Sequence, residues 1–288
     1  MSMRDQLNFI LTNRIPRRLF TQWMGWYSRI ENPWLTRVSI FVWRLFAPDL
    51  NLEEAESNQF KSLHDCFIRK LKPGSRPIDA RDEVVVSPCD AIVGAFGRVE
   101  DETLFQTKGF PYKLCDLIPE ARMYEKYRDG FYVTLRLKTS MYHRFHAPID
   151  CEINEINYIS GDTWNVNPIA LERIEKLFCK NERAVLELES TKAGGSIMLV
   201  PVAAILVASM KFHCLDFPLS LHYRGHNRLA CHVRYRKGEE IGYFEHGSTI
   251  ILFATPNHAI EASLAVGSRI NMGRPLLMEQ ALYQVIKS

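Results

Sequence analysis

Phe131-Tyr132-Val133-Thr134-Leu135-Arg136-Leu137 sets Phe131, Val133, Leu135 and Leu137 on one side of an extended chain and Tyr132, Thr134 and Arg136 on the other. A strand repeats every two residues, so this stretch predicts a β-strand. The same signal recurs outward from it. Extended runs begin near Val84, and Ile153, Ile156 and Ile159 mark a less regular one. Val185-Leu186-Glu187-Leu188, Ile197 to Val200 and Ile250 to Phe253 also read as strand. One helix interrupts, from Pro168 to about Phe178. Strands and helices do not alternate, which argues against a doubly wound parallel sheet. The fold class is therefore α+β: N-terminal amphipathic helices on a mostly antiparallel β body.

The helices lie upstream. After Pro16, the residues Leu19, Phe20, Trp23, Trp26, Tyr27 and Ile30 share one face at helical spacing. Asn32-Pro33 reads as an N-cap followed by Pro at the first helical position, and Trp34, Val38, Phe41 and Leu45 form the stripe of a second helix. Asn51 with Glu54 resembles a capping box and predicts a third helix to about Leu71, stopped by Lys72-Pro73-Gly74.

Charge sharpens this picture. The whole chain, 288 residues and 33.4 kDa, carries only +3, which excludes a nucleic-acid binder with a global positive field. Residues 1–48 hold seven Arg against Asp5 and Glu31, a net +5 that leaves −2 for the rest. Four of the five Trp are in the same segment. Two readings fit: helices packed on the body, or helices lying in a lipid interface. Arg interrupts each apolar run before the ~20 residues a membrane span needs. The longest uncharged run, Ile197 to Met210, is shorter and contains Pro201. The organisation expected is 1–50 as membrane-associating helices and 51–288 as the catalytic domain. Seven Cys with no CxxC pair argue against a disulfide framework or zinc ribbon and favour a reducing compartment.

No GxGxxG, P-loop, HExxH or GxSxG occurs, so any chemistry must come from separated residues. Asp90 in Ser87-Pro88-Cys89-Asp90-Ala91 reads first as a turn residue. His143 and His146, in Tyr142-His143-Arg144-Phe145-His146, are candidate bases, metal ligands or structural imidazoles. Gly247-Ser248 reads as a hairpin turn, or as a site where the Ser hydroxyl attacks the carbonyl before it.

Taken in order, several stretches resemble the phosphatidylserine decarboxylase proenzyme family, from about Pro16 to Pro275. They are Phe67-x-Arg69-x-Leu71 with Arg76-Pro77-Ile78-Asp79, Ser87-Pro88-x-Asp90-Ala91, Lys108-Gly109-x-x-Tyr112 and Tyr142-His143-Arg144-x-His146-x-Pro148. Gly161-Asp162 with Val166-Asn167, Leu177-Phe178 with Asn181-Glu182-Arg183, and Lys237-Gly238-x-Glu240-x-Gly242-x-Phe244-x-x-Gly247-Ser248-Thr249 complete the set. His246 stands where the bacterial cleavage motif usually has Leu.

The resemblance implies a self-processing enzyme that decarboxylates phosphatidylserine to phosphatidylethanolamine. His146 would deprotonate Ser248, with Asp90 orienting the imidazole. Cleavage between Gly247 and Ser248 would give a β chain, 1–247, and an α chain, 248–288, whose Ser248 becomes a pyruvoyl group. His143 would be the proton donor in decarboxylation, and Tyr112, Trp164 and Asn167 would line the lipid pocket. No external cofactor, metal or nucleic acid is implied. The expected setting is the cytoplasmic face of the inner membrane, as a peripheral α/β complex, in this family often dimerised. Competing readings are a relative acting on another amino-acid-bearing lipid, a serine hydrolase using Ser248, and a non-catalytic membrane-surface or metal-binding protein.

Overall fold

The computed structural model describes residues 17–100, 102–104, 110–192, 195–205, 209–245 and 248–280. Pro16, Lys108, Gly109, His246 and Gly247 lie outside the described residues.

The body is built on an eight-stranded sheet. Its order is Arg228–Tyr235, Cys151–Ile159, Arg183–Ser190, Ile197–Ala203, Ser248–Ala254, Phe131–Leu137, Ala91–Arg98 and Arg269–Ile270. Every neighbouring pair in it is antiparallel. One face meets a core that includes Val133, Leu135, Leu199, Ile250 and Leu252. The other meets a second core that includes Tyr132, Met198, Val200, Ile251 and Phe253. With both faces covered, Tyr132 and Thr134 are buried instead of solvated, so the alternation read from sequence marks two cores, not a core and a surface. Only Arg136, near the strand's end, stays half-buried on that second face.

The irregular Ile153, Ile156, Ile159 spacing has a local cause. The register shifts between Glu152 and Ile156 on one side and opposite Ala230/Val233 on the other. His232 sits there at φ 55°, the left-handed conformation of a bulged strand.

A smaller sheet runs Leu219–Ser220, Ser209–Phe212, Glu240–Phe244, Arg144–His146. Phe244 thus ends a strand of this sheet and Ser248 begins a strand of the large one, so these two consecutive strands do not form a hairpin. A third sheet joins Val84–Val86, Pro275–Glu279 and His258–Ile260.

Two expectations need correction. The helix from Asn51 to Leu71 is reduced to Leu63–Phe67, capped by the Ser62 hydroxyl on the Asp65 N–H at 3.1 Å. Asn51 instead closes a turn on the Glu53 N–H, and Ala55 bridges Leu71. Side chains that bond their own backbone favour such turns over helix interiors. The Pro168–Phe178 helix is two single turns, Pro168–Leu171 and Leu177–Lys180, broken at Lys176 with φ 53°.

The two N-terminal helices, Arg17–Ser28 and Pro33–Phe46, form as read. Asn32 caps the second by accepting from the Trp34 and Leu35 N–H groups at 3.0 Å. Their apolar stripes are not packed on the body: Trp26 is 65% exposed, Trp34 73%, Phe41 63% and Phe46 84%. The opposite side anchors them. Trp43 stacks on Phe67, and Ile40 and Trp43 meet Leu50, Leu52 and Cys66. Arg29 Nη2 reaches Glu245 Oε2 at 2.6 Å. Among the described residues no helix is long and apolar enough to cross a membrane.

A disulfide joins Cys214 and Cys231, 17 residues apart, while Cys66, Cys89, Cys115, Cys151 and Cys179 are free. A single pair ties two segments together locally and is not a disulfide framework. Only the approach of two distant segments, with Cα atoms 5.8 Å apart, creates the pair.

Candidate functional site

The separated motifs converge. Phe67 lies against the His143 ring with centroids 4.0 Å apart. Arg69 donates from Nη2 to the Ser140 carbonyl at 3.0 Å, and Arg144 donates from Nε to the Ile68 carbonyl at 2.8 Å. Arg144 Nη1 also pairs with Glu240 at 2.6 Å. These fixed guanidinium forks hold the 138–146 stretch between the Leu63–Phe67 helix and the small sheet.

Asp90 is fully buried. Arg76 donates to it from Nε at 2.8 and 3.1 Å and from Nη2 at 2.6 Å, and the Met272 N–H donates to Oδ1 at 2.9 Å. The expected Asp90–His146 contact is not formed. A buried carboxylate is held best by a bidentate cation, and Arg76 supplies it. Asp90 reaches His146 only through the backbone: the His146 N–H donates to the Pro88 carbonyl at 2.8 Å.

His146 is buried, and that burial pushes its pKa below the ordinary 6.5, opposed in part by the bond to Gly238. Its Nδ1 lies 2.9 Å from the Gly238 carbonyl, so Nδ1 carries the proton and Nε2 the lone pair. Nε2 accepts from the Tyr142 hydroxyl at 3.0 Å, and burial, raising the phenol's pKa, keeps that hydroxyl protonated. His143 is fully buried too, with Nδ1 2.8 Å from the Met141 carbonyl, which gives it the same tautomer. Its own carbonyl accepts from the Phe244 N–H at 2.9 Å. Along the Glu240–Phe244 strand, His143 therefore sits at the end leading toward Ser248, and His146, paired with Glu240, at the far end.

Ser248 opens the central strand, opposite Leu137 and Ala203. Its Oγ is buried and has no hydrogen-bond partner among the described residues, so neither imidazole contacts it. Ser248 lines a cleft of about 390 Å³ together with Phe46, Arg136, Lys138, Asn165, Asn167 and Ile205. Phe46 is the last residue of the exposed apolar helix, so the cleft opens where that helix ends.

Of the expected pocket residues, Asn167 lines this cleft and also caps the Pro168–Leu171 turn through the Ala170 N–H at 2.9 Å. Tyr112 and Trp164 do not line it. Tyr112 is a core residue set edge-on to Phe178, and Trp164 packs against the same core. A large ring with apolar neighbours gains more from that core than from an open wall. Sequence reading missed Tyr142 on His146, Arg76 on Asp90, and Arg136 and Phe46 in the cleft. Arg76 had a signal, the Arg-Pro-Ile-Asp run; the others depend on tertiary approach.

A sequence model of the phosphatidylserine decarboxylase family matches residues 63–278. The chain is 32% identical to the phosphatidylserine decarboxylase proenzyme of Brevibacillus brevis, covering 94% of this chain and 95% of that one. It is 32% identical to that of Vibrio cholerae (94% and 98% covered) and 31% to that of Vibrio parahaemolyticus (96% and 100%).

Proposed function

The chain belongs to the phosphatidylserine decarboxylase family, and from that premise we propose that it converts phosphatidylserine to phosphatidylethanolamine and CO2 through a pyruvoyl group made from its own Ser248. The observation that carries this reading is the Ser248 hydroxyl, buried and without a hydrogen-bond partner among the described residues, at the head of a central strand beside a cleft that opens at the end of an apolar helix face.

Processing would begin when Ser248 Oγ adds to the Gly247 carbonyl and the residue 248 nitrogen departs as an amine, leaving an ester. Loss of the residue 248 α-proton expels the Gly247 carboxylate and leaves dehydroalanine. Its enamine takes up water and releases ammonia, giving the keto group at the head of 248–288, with 1–247 as the companion chain. His146 is our candidate for the proton acceptor. Its tautomer suits the task, since Nε2 holds the lone pair. The Tyr142 bond must exchange before Nε2 can take a proton derived from Ser248. Asp90, clamped by Arg76, holds the turn whose Pro88 carbonyl fixes the His146 strand.

When formed, the pyruvoyl carbonyl supplies an electron sink for loss of CO2. The unpaired Ser248 position beside the cleft fits such a group without further ligands. His143, with Nδ1 tied to Met141, is our candidate for returning the proton, which its Nε2 would first have to take up.

Because burial depresses His146, its neutral form survives below pH 6.5. The cleavage rate should therefore stay level from neutrality to pH 6.5 and fall only in more acid buffer, read as cleaved fraction against time. A midpoint at or above pH 6.5 would rule out His146 acting from this environment.

The exposed faces of the first two helices favour a peripheral protein seated on lipid; the family resemblance is our ground for placing it at the cytoplasmic face of the inner membrane, with 1–50 as the anchor and 51–288 as the catalytic part. The working form is the α/β complex cut from one chain, alone or paired with a second copy. Phe41→Asp with Leu45→Asp should lower partition onto anionic vesicles at least about tenfold, since each buried large apolar side chain contributes roughly 1.5–3 kcal/mol. Cosedimentation checks this, and unchanged partition would refute the docking face.

The deciding test is intact mass under denaturing conditions. Two fragments split at Gly247–Ser248, the smaller lighter by the Ser-to-pyruvoyl change and blocked to Edman degradation, support the reading. One whole chain without decarboxylation overturns it.

A further inference from the structure

The buried arginines of this protein have partners. Arg69 donates to carbonyls, Arg76 to Asp90, Arg144 to Glu240, and Arg183 from Nε to the Leu117 carbonyl at 2.7 Å. Arg136 differs. It is half-buried in the wall of the Ser248 cleft, and no hydrogen bond or ion pair joins it to any described residue. Burial alone pushes its pKa down, with no neighbouring charge contributing. A guanidinium nonetheless remains charged, so the cleft holds an uncompensated cation.

A second observation lies across the strand. Arg136 pairs in register with Thr249, so their side chains leave the same face of the sheet. The Thr249 hydroxyl is also fully buried and without a hydrogen-bond partner among the described residues. The acid in the cleft wall, Asp49, is already taken by Lys138 at 3.1 Å. The cleft wall thus holds a cation without a counter-charge, and the residue paired with it in register, one step from the Ser248–Leu137 pair, carries an unused hydroxyl behind that wall.

We propose that Arg136, with Thr249 beside it, binds the phosphodiester of the serine phospholipid. The inference rests on the proposed function for placing the substrate amine at residue 248. The head group carries two anions, and energetics separate them. A guanidinium on the carboxylate would stabilise the group that must leave as CO2 and so oppose the reaction. One on the phosphodiester, four bonds from the amine, is indifferent to the chemical step and serves binding alone. Arg136 is thus a substrate-binding residue that sets affinity and head-group register.

The test compares wild type, Arg136→Gln, Arg136→Lys and Thr249→Val in three measurements: chain cleavage, steady-state kinetics on short-chain phosphatidylserine, and calorimetric binding of short-chain phosphatidylethanolamine. The product keeps the phosphodiester and lacks the carboxylate. Arg136→Gln should cleave at the wild-type rate, raise KM about tenfold or more with kcat within about twofold, and weaken product binding by the same factor, the range of one charge-assisted hydrogen bond. Arg136→Lys should recover part of the loss. Unchanged KM in a cleaved Arg136→Gln enzyme overturns the proposal. So does a raised KM with unchanged product binding, which reassigns Arg136 to the carboxylate. Inorganic phosphate as competitor separates the sources: it should compete more weakly than the product, and equal or tighter competition overturns a lipid ligand. If the wild type is never cleaved, the decarboxylase reading fails, and product binding still decides Arg136.

Discussion

A Ser248→Ala chain should remain in one piece and release no CO2 above background, a loss of at least about 10⁴-fold. Ala has no oxygen to add to the Gly247 carbonyl, so no ester, no dehydroalanine and no keto group can form. The neighbouring hydroxyl supplies a strict control. Thr249 is as buried as Ser248 and, like it, has no hydrogen-bond partner among the described residues, yet it does not follow glycine. Thr249→Val should therefore still be cut, even though it binds substrate less well. Both chains should fold, because Ala at 248 only removes an oxygen that has no partner among the described residues. Intact mass and CO2 release measured on the two variants decide the matter. A cut Ser248→Ala chain, or an uncut Thr249→Val chain, would move the reacting hydroxyl elsewhere.

Arg76→Leu should be the most destabilising single change in the site. It strands the fully buried Asp90 carboxylate with the Met272 N–H as its one remaining donor among the described residues. Breaking a buried pair from one side costs roughly 3–5 kcal/mol. For a domain of this size that lowers Tm by roughly 6–15 °C. Asp90→Asn should cost less, because Arg76 keeps Glu54 at 2.8 Å and stays compensated. Combining Arg76→Leu with Asp90→Leu should recover much of the loss, since no unpaired charge is left. Cleavage should slow in Arg76→Leu as well, because the same turn carries the Pro88 carbonyl that holds the His146 strand. Equal melting of Arg76→Leu and wild type would show that Asp90 does not depend on this pair.

Local patterns were legible where short-range physics decides. The Asn32-Pro33 cap, the helix stripes through Trp34 and Phe41, and the strands around Leu135 and Ile250 all form as read. The third helix begins only at Leu63 because Asn51 and Ser57 bond neighbouring backbone and turn the chain before a helix can propagate. The burial of Tyr132 and Thr134 has a different origin. A seven-residue alternation cannot report that a second core will cover the far face.

The site divides the same way. The residues proposed for its chemistry, Asp90, His143, His146 and Ser248, are visible in sequence as motifs, because a reacting group must be a particular side chain. Their partners are not visible. Arg76 on Asp90, Tyr142 and Gly238 on His146, and Phe67 on His143 come from elsewhere in the chain or depend on how it bends. Sequence by itself determined the residue types, the helix and strand periods and the family. Tertiary structure alone decided that Phe46 borders the Ser248 cleft and that, among the described residues, Arg136 has no hydrogen-bond or ion-pair partner and the apolar helix faces stay uncovered. Periodicity is carried by bonds between near neighbours, whereas pairing, burial and exposure are set by which distant segments the packed core brings together.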